Sequence, residues 1–280
     1  MKALVLVLAL ATATAVSPYT QEINKWRSDR ATRLKADDGW LTLVGLSWIH
    51  DGANDVKLPS TPAATVHVVL QNGKATLSPL KGMTIDGKLL AAAVALRDDT
   101  DTAGPTVVHY GTLAFHVIKR NDKYGLRIKD TKSPARVHFK GLHYFPADPK
   151  YRVEARFEPY NPPKKIAITN VLGMTGDEVS PGALVFSLGG KTYRIDPILE
   201  QGEKDLFIIF KDQTSGRETY GAARYLYAAP PGADGKTIID FNKAYNPPCA
   251  FTSFATCPLP PPQNRLALRI TAGEKKYGNH

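Results

Sequence analysis

DFNKAYNPPCAFTSFATCPLPPPQNRL, Asp240 to Leu266, is the stretch on which the reading of this chain turns. Both cysteines of the chain, Cys249 and Cys257, lie in it with six prolines, three asparagines and four aromatic residues, a mixture that no helix or long strand accommodates. Proline fixes φ and lacks an amide hydrogen. Pro247-Pro248 and the run Pro260 to Pro262 therefore impose extended or turning backbone. A loop of this length without regular structure is uncommon in a compact domain and is usually functional or disordered. Phe241, Tyr245, Phe251 and Phe254 argue for order, because disordered tracts are poor in aromatics. The stretch is expected to be a shaped, packed, proline-rich loop.

The cysteines direct attention to the start of the chain. MKALVLVLALATATAVS has a lysine, an apolar run from Ala3 to about Ala11, and the small-residue sites Ala11-Thr12-Ala13 and Ala13-Thr14-Ala15. This is the pattern of a secretory signal peptide over residues 1–17, shorter than the ~20 apolar residues of a membrane helix. No later stretch approaches that length. The mature chain is expected to be soluble, without a transmembrane segment, and secreted or periplasmic. In an oxidising compartment two cysteines suggest a Cys249–Cys257 disulfide. The alternative is a metal site, but Cys-x7-Cys is not a zinc-finger spacing. Two more ligands would have to come from elsewhere, such as His138 or His143. No metal or cofactor is expected.

With 280 residues and 43% hydrophobic content, the chain can bury one large core or two ordinary ones, and two domains are expected. The formal net charge of +10 invites a nucleic-acid reading. Lys and Arg are scattered, however, in pairs such as Lys164-Lys165 and Lys275-Lys276, without a basic run of five. Nucleic acid is therefore not expected as a partner. A basic exported protein is simply solvated, or meets anionic surfaces or polymers.

Outward from the loop, residues 18–39 place Ile23, Trp26 and Leu34 at helical steps between charged residues. They read as an amphipathic helix capped by Ser17, with Pro18 in its first position. Residues 40–130 switch to short apolar or alternating runs separated by Gly, Pro, Asn and Asp. Asn72-Gly73 and Asp86-Gly87 supply positive-φ hairpin turns, and short strands at this spacing suggest a β-sandwich. Residues 131–150, with His138 and His143, read as a linker segment. Residues 151–280 return to strands. In Arg152 to Tyr160, RVEARFEPY, the residues Val153, Ala155 and Phe157 alternate with Arg152, Glu154 and Arg156. A last strand is expected in LRITAGEKKYG, after Leu266. The fold class is mainly β, with an N-terminal helix, a sandwich, and a second C-terminal β domain, sandwich or barrel, carrying the long loop.

The run NDVKLPSTPAATVHVVLQNGKATLSPLKGMTIDGKLL, Asn54 to Leu90, resembles a forkhead-associated-type sandwich. Trp48 to Asn54 lacks the arginine with which phosphopeptide-binding members of that family anchor phosphate, and Asp86 stands where they often have asparagine. The resemblance implies a fold and no phosphate site.

Phosphate-loop, dinucleotide, His-Glu-x-x-His and Gly-x-Ser-x-Gly signatures are all absent. What remains is a cluster of polar residues. FKDQTSGRETYGAARYLY, Phe210 to Tyr227, puts Asp212 and Glu218 on a loop and Arg224 on the next strand; the long loop adds Asp240, Asn242, Tyr245, Asn246 and Asn264. Amides, an arginine and a phenol suit a hydroxyl-bearing ligand. The same asparagines and aspartates also suit internal scaffolding of a donor-poor loop. Two functions compete: binding of a small polar ligand or glycan through Arg224, Asp240, Asn242, Tyr245, Asn246 and Asn264, or carboxylate-dependent, glycosidase-like hydrolysis drawing on Asp240, Asp212, Glu218 and Glu274. A structural or protein-interaction module needs no site.

Phe210 to Tyr227, Asp240 to Leu266, AGEKKY at 272–277 and DGWLTLVGLSWI at 38–49 together closely resemble the family catalogued as domain of unknown function 1684. Ala223 precedes Arg224 where members of that family tend to have glycine. The resemblance spans nearly all of the mature chain and implies no activity.

Overall fold

The computed structural model describes residues 16–278. The expected signal peptide lies outside them apart from Val16 and Ser17. Helix α1 (Pro18–Lys35) starts where its cap chemistry directs: the Ser17 hydroxyl accepts from the Thr20 amide at 3.1 Å, and Pro18 occupies the first turn. Its inward face carries Ile23 and Leu34, and between them Arg30.

Ten strands follow: β1 (Leu43–Ile49), β2 (Gly52–Leu58), β3 (Ala64–Gln71), β4 (Lys74–Leu77), β5 (Thr84–Ile85), β6 (Lys88–Leu89), β7 (Val94–Leu96), β8 (Val108–Tyr110), β9 (Leu113–Arg120) and β10 (Lys123–Asp130). One sheet runs β1-β10-β9-β8-β5-β6 and a second β2-β3-β4-β7. Val66, Val68 and Leu77 from one sheet and Phe115, Val117 and Leu126 from the other enclose a single core. The alternation that buries these residues leaves His116 and Arg127 on the opposite face, where they are cross-strand partners. That face is covered too, since His116 and Arg127 are only 9% and 6% exposed.

Residues 131–150, read as a linker, hold the single-turn helix α2 (Pro134–Val137) and the buried Phe145, whose carbonyl accepts from Arg27 at 2.7 Å. The second half contains β11 (Arg152–Thr169), β12 (Thr175–Leu188), β13 (Lys191–Ile195), β14 (Leu206–Phe210), β15 (Arg224–Ala228) and β16 (Lys236–Asp240). The sheet order β13-β12-β11-β16 and the β14-β15 hairpin enclose a core of Ala155, Leu184, Phe186, Ile208, Leu226 and Phe241 among others. Strand β11 runs beyond RVEARFEPY, through Asn161-Pro162-Pro163, to Thr169. Its pairing with β12 shifts register between Pro159 and Lys164, so the prolines that cannot donate sit in the irregularity and the ladder resumes beyond them.

A third apolar cluster joins the halves, combining Leu43 with Ile166, Ile168, Phe207, Tyr225 and Cys257. The strand expected after Leu266 does not form. Its amides are taken singly by different neighbours, Ile270 by the Asp212 carboxylate, Glu274 by the Ala244 carbonyl and Lys275 by the His143 carbonyl, so no continuous ladder develops.

The long loop is ordered as three short 3-10 turns, Phe241–Lys243, Pro248–Ala250 and Pro262–Asn264. A disulfide joins Cys249 and Cys257, with Cα atoms 6.1 Å apart. Phe241 is fully buried, whereas Phe254 departs from the expected packing and is 37% exposed at the tip between the cysteines. Among the described residues no helix is long and apolar enough to cross a membrane.

Candidate ligand-binding cleft

The polar residues singled out in the sequence are drawn together mainly with backbone. Asn264 donates to the carbonyls of Asp196 and Ile209, at 2.9 Å each, and accepts from the Asp196 amide, so one side chain ties β13 to β14. Asn242 accepts from the Asp148 amide and donates to the Asp148 carbonyl. Asp240 accepts from the Tyr19 hydroxyl at 3.0 Å and from the Asn242 amide. Asn246 donates to the Lys275 carbonyl. Arg224, 1% exposed, donates to the carbonyls of Ile270 and Ala272 and stands 3.5 Å from Asp212. Desolvation lowers the Arg224 pKa, and Asp212 opposes that shift. Glu218 accepts from Arg269 through both carboxylate oxygens.

Glu274 closes the set. Its carboxylate accepts from Arg30 Nε at 3.0 Å and from the Asn246 amide at 2.7 Å, while Arg30 also donates to the Asn246 carbonyl. Burial raises the Glu274 pKa, and Arg30 and the Asn246 bonds pull it back. The preceding residue explains how the chain gets there. Gly273 has φ +75°, and a Cβ would lie 2.4 Å from the Ala244 carbonyl oxygen. Only glycine permits that approach, so Gly273 is what lets Glu274 reach Arg30. The nearest sequence signals to this pair are the AGEKKY motif and a cation inside an otherwise apolar helix stripe.

A cleft of about 810 Å³ lies at the junction of the two halves. Of the proposed catalytic and ligand-binding residues, Tyr245 alone lines it. One wall follows from the two-residue period of β15. Arg224, Leu226 and Ala228 turn to the core and Tyr225 and Tyr227 turn the other way, beside Phe207 of the paired strand β14. Tyr245 is held beside β15 by reciprocal backbone bonds with Tyr225, at 3.0 and 2.9 Å. The rings of Tyr227 and Tyr245 stack at 6.5 Å and those of Phe207 and Tyr227 at 4.9 Å. The Tyr227 hydroxyl donates to Glu200 at 2.8 Å. Tyr227 keeps 41% of its surface exposed, so the wall presents an open aromatic face.

Cations line the same cleft. Arg120 and Arg127 come from the sandwich and Arg30 and Arg33 from α1, Arg30 lying over the Tyr245 ring at 4.6 Å, and the cleft's carboxylates are Glu178 and Glu200. Arg120 bonds Asp99 through both terminal nitrogens and reaches across the junction from Nε to the Thr256 hydroxyl at 3.1 Å. Arg127 lies over the Trp40 ring at 5.3 Å, and its Nε has no hydrogen-bond partner among the described residues. Desolvation first, then repulsion from Arg120, lowers the Arg127 pKa to about 10. Desolvation, then Arg127, likewise lowers His116 to about 4, so the imidazole beside it is neutral. In sequence Arg127 falls on the solvent phase of GLRIK, and nothing in that strand signals its cover.

No curated protein matches the chain. An uncharacterized protein of Haloarcula marismortui, solved in solution by NMR, is 34% identical over 52% of this chain and 81% of its own length, with a TM-score of 0.44. The family described as Protein of unknown function (DUF1684) matches residues 137–275, which hold the tyrosine wall, the disulfide and Glu274, while α1, Trp40 and Arg127 precede them. The chain belongs to this family.

Proposed function

We propose that the protein binds a small polar ligand, with the apolar face of a sugar or another ring laid against Tyr227. The observation that carries this reading is the open ring of Tyr227 lining one cleft together with guanidinium groups. Aromatic faces cover the apolar side of a ring, and the polar groups lining the cleft read its substituents. Binding also requires no pair of free carboxylates. Asp212, Asp240, Glu218 and Glu274 are each engaged by cations, hydroxyls or backbone amides, which favours binding over the hydrolase alternative. The disulfide suits an extracellular or periplasmic setting, where such ligands are met.

A thermal-shift screen of sugars, sugar acids and small metabolites tests the reading. A ligand at one hundred times its Kd should stabilise the native state by ~2.7 kcal/mol. Tyr227→Ala should weaken the response to ring-bearing ligands while leaving the unliganded protein folded. Binding that survives Tyr227→Ala unchanged would place the ligand elsewhere.

A further inference from the structure

We propose that the cleft is selective for acids: the ligand carries a carboxylate, phosphate or sulfate group that docks on the guanidinium of Arg127. This rests on the cleft reading above and adds the charge of the ligand to it.

The argument begins with what a buried cation requires. Taking a charge out of water is costly unless a counter-charge or a full set of hydrogen bonds replaces the solvent. Two other arginines of this protein are as deeply buried and satisfy that rule. Arg224 has two carbonyls and Asp212, and Arg30 has Glu274 and the Asn246 carbonyl. Arg127 is 6% exposed with its Nε unpartnered among the described residues. The carboxylate acting on it, Asp99, is already bonded to both terminal nitrogens of Arg120 and to the Lys119 amide. The other charged neighbours, Arg120 and Lys129, are cations and repel it. Trp40 supplies a ring face on one side, which leaves the edge of the guanidinium plane without acceptors.

That side chain lines the cleft. A guanidinium is a planar fork of five donors matched to two oxygens of a carboxylate, phosphate or sulfate, and it stays charged at neutral pH even when partly desolvated. Arg33 and Lys119 also line the cleft, and its two carboxylates, Glu178 and Glu200, are outnumbered by its cations, so the potential there favours anions. Tyr227 lines the same cleft. A ring acid, such as a sugar acid, satisfies both residues at once; a neutral sugar leaves Arg127 as it is.

The test compares glucuronate with glucose, which differ at the carboxylate, and adds inorganic phosphate and sulfate against chloride at matched ionic strength. Melting temperature and titration calorimetry are read for the wild type, Arg127→Met, Arg127→Lys and Tyr227→Ala. The proposal expects saturable stabilisation of the wild type by glucuronate and by phosphate or sulfate, and a response to glucose at least tenfold weaker. Arg127→Met should melt no lower than wild type, because an unpaired buried charge has gone, and should lose the anion response. Arg127→Lys keeps the charge without the fork and should bind at least tenfold more weakly. Tyr227→Ala should keep the response to phosphate and weaken that to glucuronate. Anion responses unchanged in Arg127→Met, or in Arg127→Lys should the methionine variant not fold, would overturn the proposal. Equal affinity for glucose and glucuronate, lost in Tyr227→Ala and untouched in Arg127→Met, would overturn it while leaving the cleft reading intact. No response of the wild type to any of the anions would overturn it as well.

Discussion

The proline-rich loop and the cationic lining of the cleft both bury polar groups, and they do so in opposite ways. In the loop, Asn242, Asn246 and Asn264, with Glu274 packed against it, are 0–1% exposed and hydrogen-bonded, and Arg224 beside them is closed by two carbonyls and a carboxylate. At the cleft Arg127 is buried with an orphaned Nε, and His116 on the neighbouring strand is held neutral. A closed network does the work of a core, because every donor that leaves water finds an acceptor. An open one carries a standing cost, which a ligand would relieve. The proposed site therefore falls in a different part of the chain from the one that polar composition alone indicates.

The largest expected effect breaks the closed side. Glu274→Ala removes the counter-charge of Arg30 and the acceptor of the Asn246 amide together. Breaking a buried pair from one side costs about 3 to 5 kcal/mol, to be seen as a fall in the urea midpoint at unchanged slope. Arg127→Met, its counterpart on the open side, should leave that midpoint unchanged or raised. Equal losses in the two variants would erase the distinction.

The pH dependence sharpens the open side. His116 titrates near 6.5 when unfolded and about 4 when folded, so between those values the unfolded state binds more protons. Its contribution is fully present above pH 6.5 and is lost as pH falls through 4, by roughly 3 kcal/mol. His116→Gln should flatten the stability profile over that window, as read by urea midpoints at pH 7.5 and 4.5. A parallel fall in variant and wild type would assign acid sensitivity to other groups.

The smallest effect concerns the order of the loop. Reducing Cys249–Cys257 frees a short ring, and the chain-entropy estimate for such a ring is roughly 2.5 kcal/mol. Because the asparagine network and the 3-10 turns remain, the loop should stay native, and the loss should be seen in thermal unfolding without any loss of ligand response. Loss of ligand binding on reduction would mean that Cys257, which lines the cleft, supports the site as well as the loop.

Much of the fold was legible because it follows from local rules. Ser17-Pro18 announces the helix start, Asn72-Gly73 and Asp86-Gly87 the hairpins, and RVEARFEPY a half-buried strand. The positive φ of Asn72, Asp86 and the glycines after them is what those turns require. The final strand does not form for a reason no window of residues contains: its amides are claimed one by one by Asp212, Ala244 and His143. The cleft was legible only in Tyr245. Arg30 interrupts an apolar helix stripe and is buried because Glu274 meets it from the far end of the chain, 244 residues away. Arg127 occupies a polar phase of β10 that looks solvent-facing until Trp40 covers it. Such burial is a property of tertiary packing, so composition points to the loop, where polar residues are dense, and away from Arg127.

The most direct test of the acid-binding cleft is anomalous diffraction from crystals soaked in selenate, a tetrahedral anion whose selenium is located without reference to the protein. The predicted result is a peak in the cleft with selenate oxygens about 2.7 to 2.9 Å from the Arg127 guanidinium nitrogens, absent in Arg127→Met crystals. Selenate found only on exposed lysines, with the cleft empty at saturation, would contradict the account.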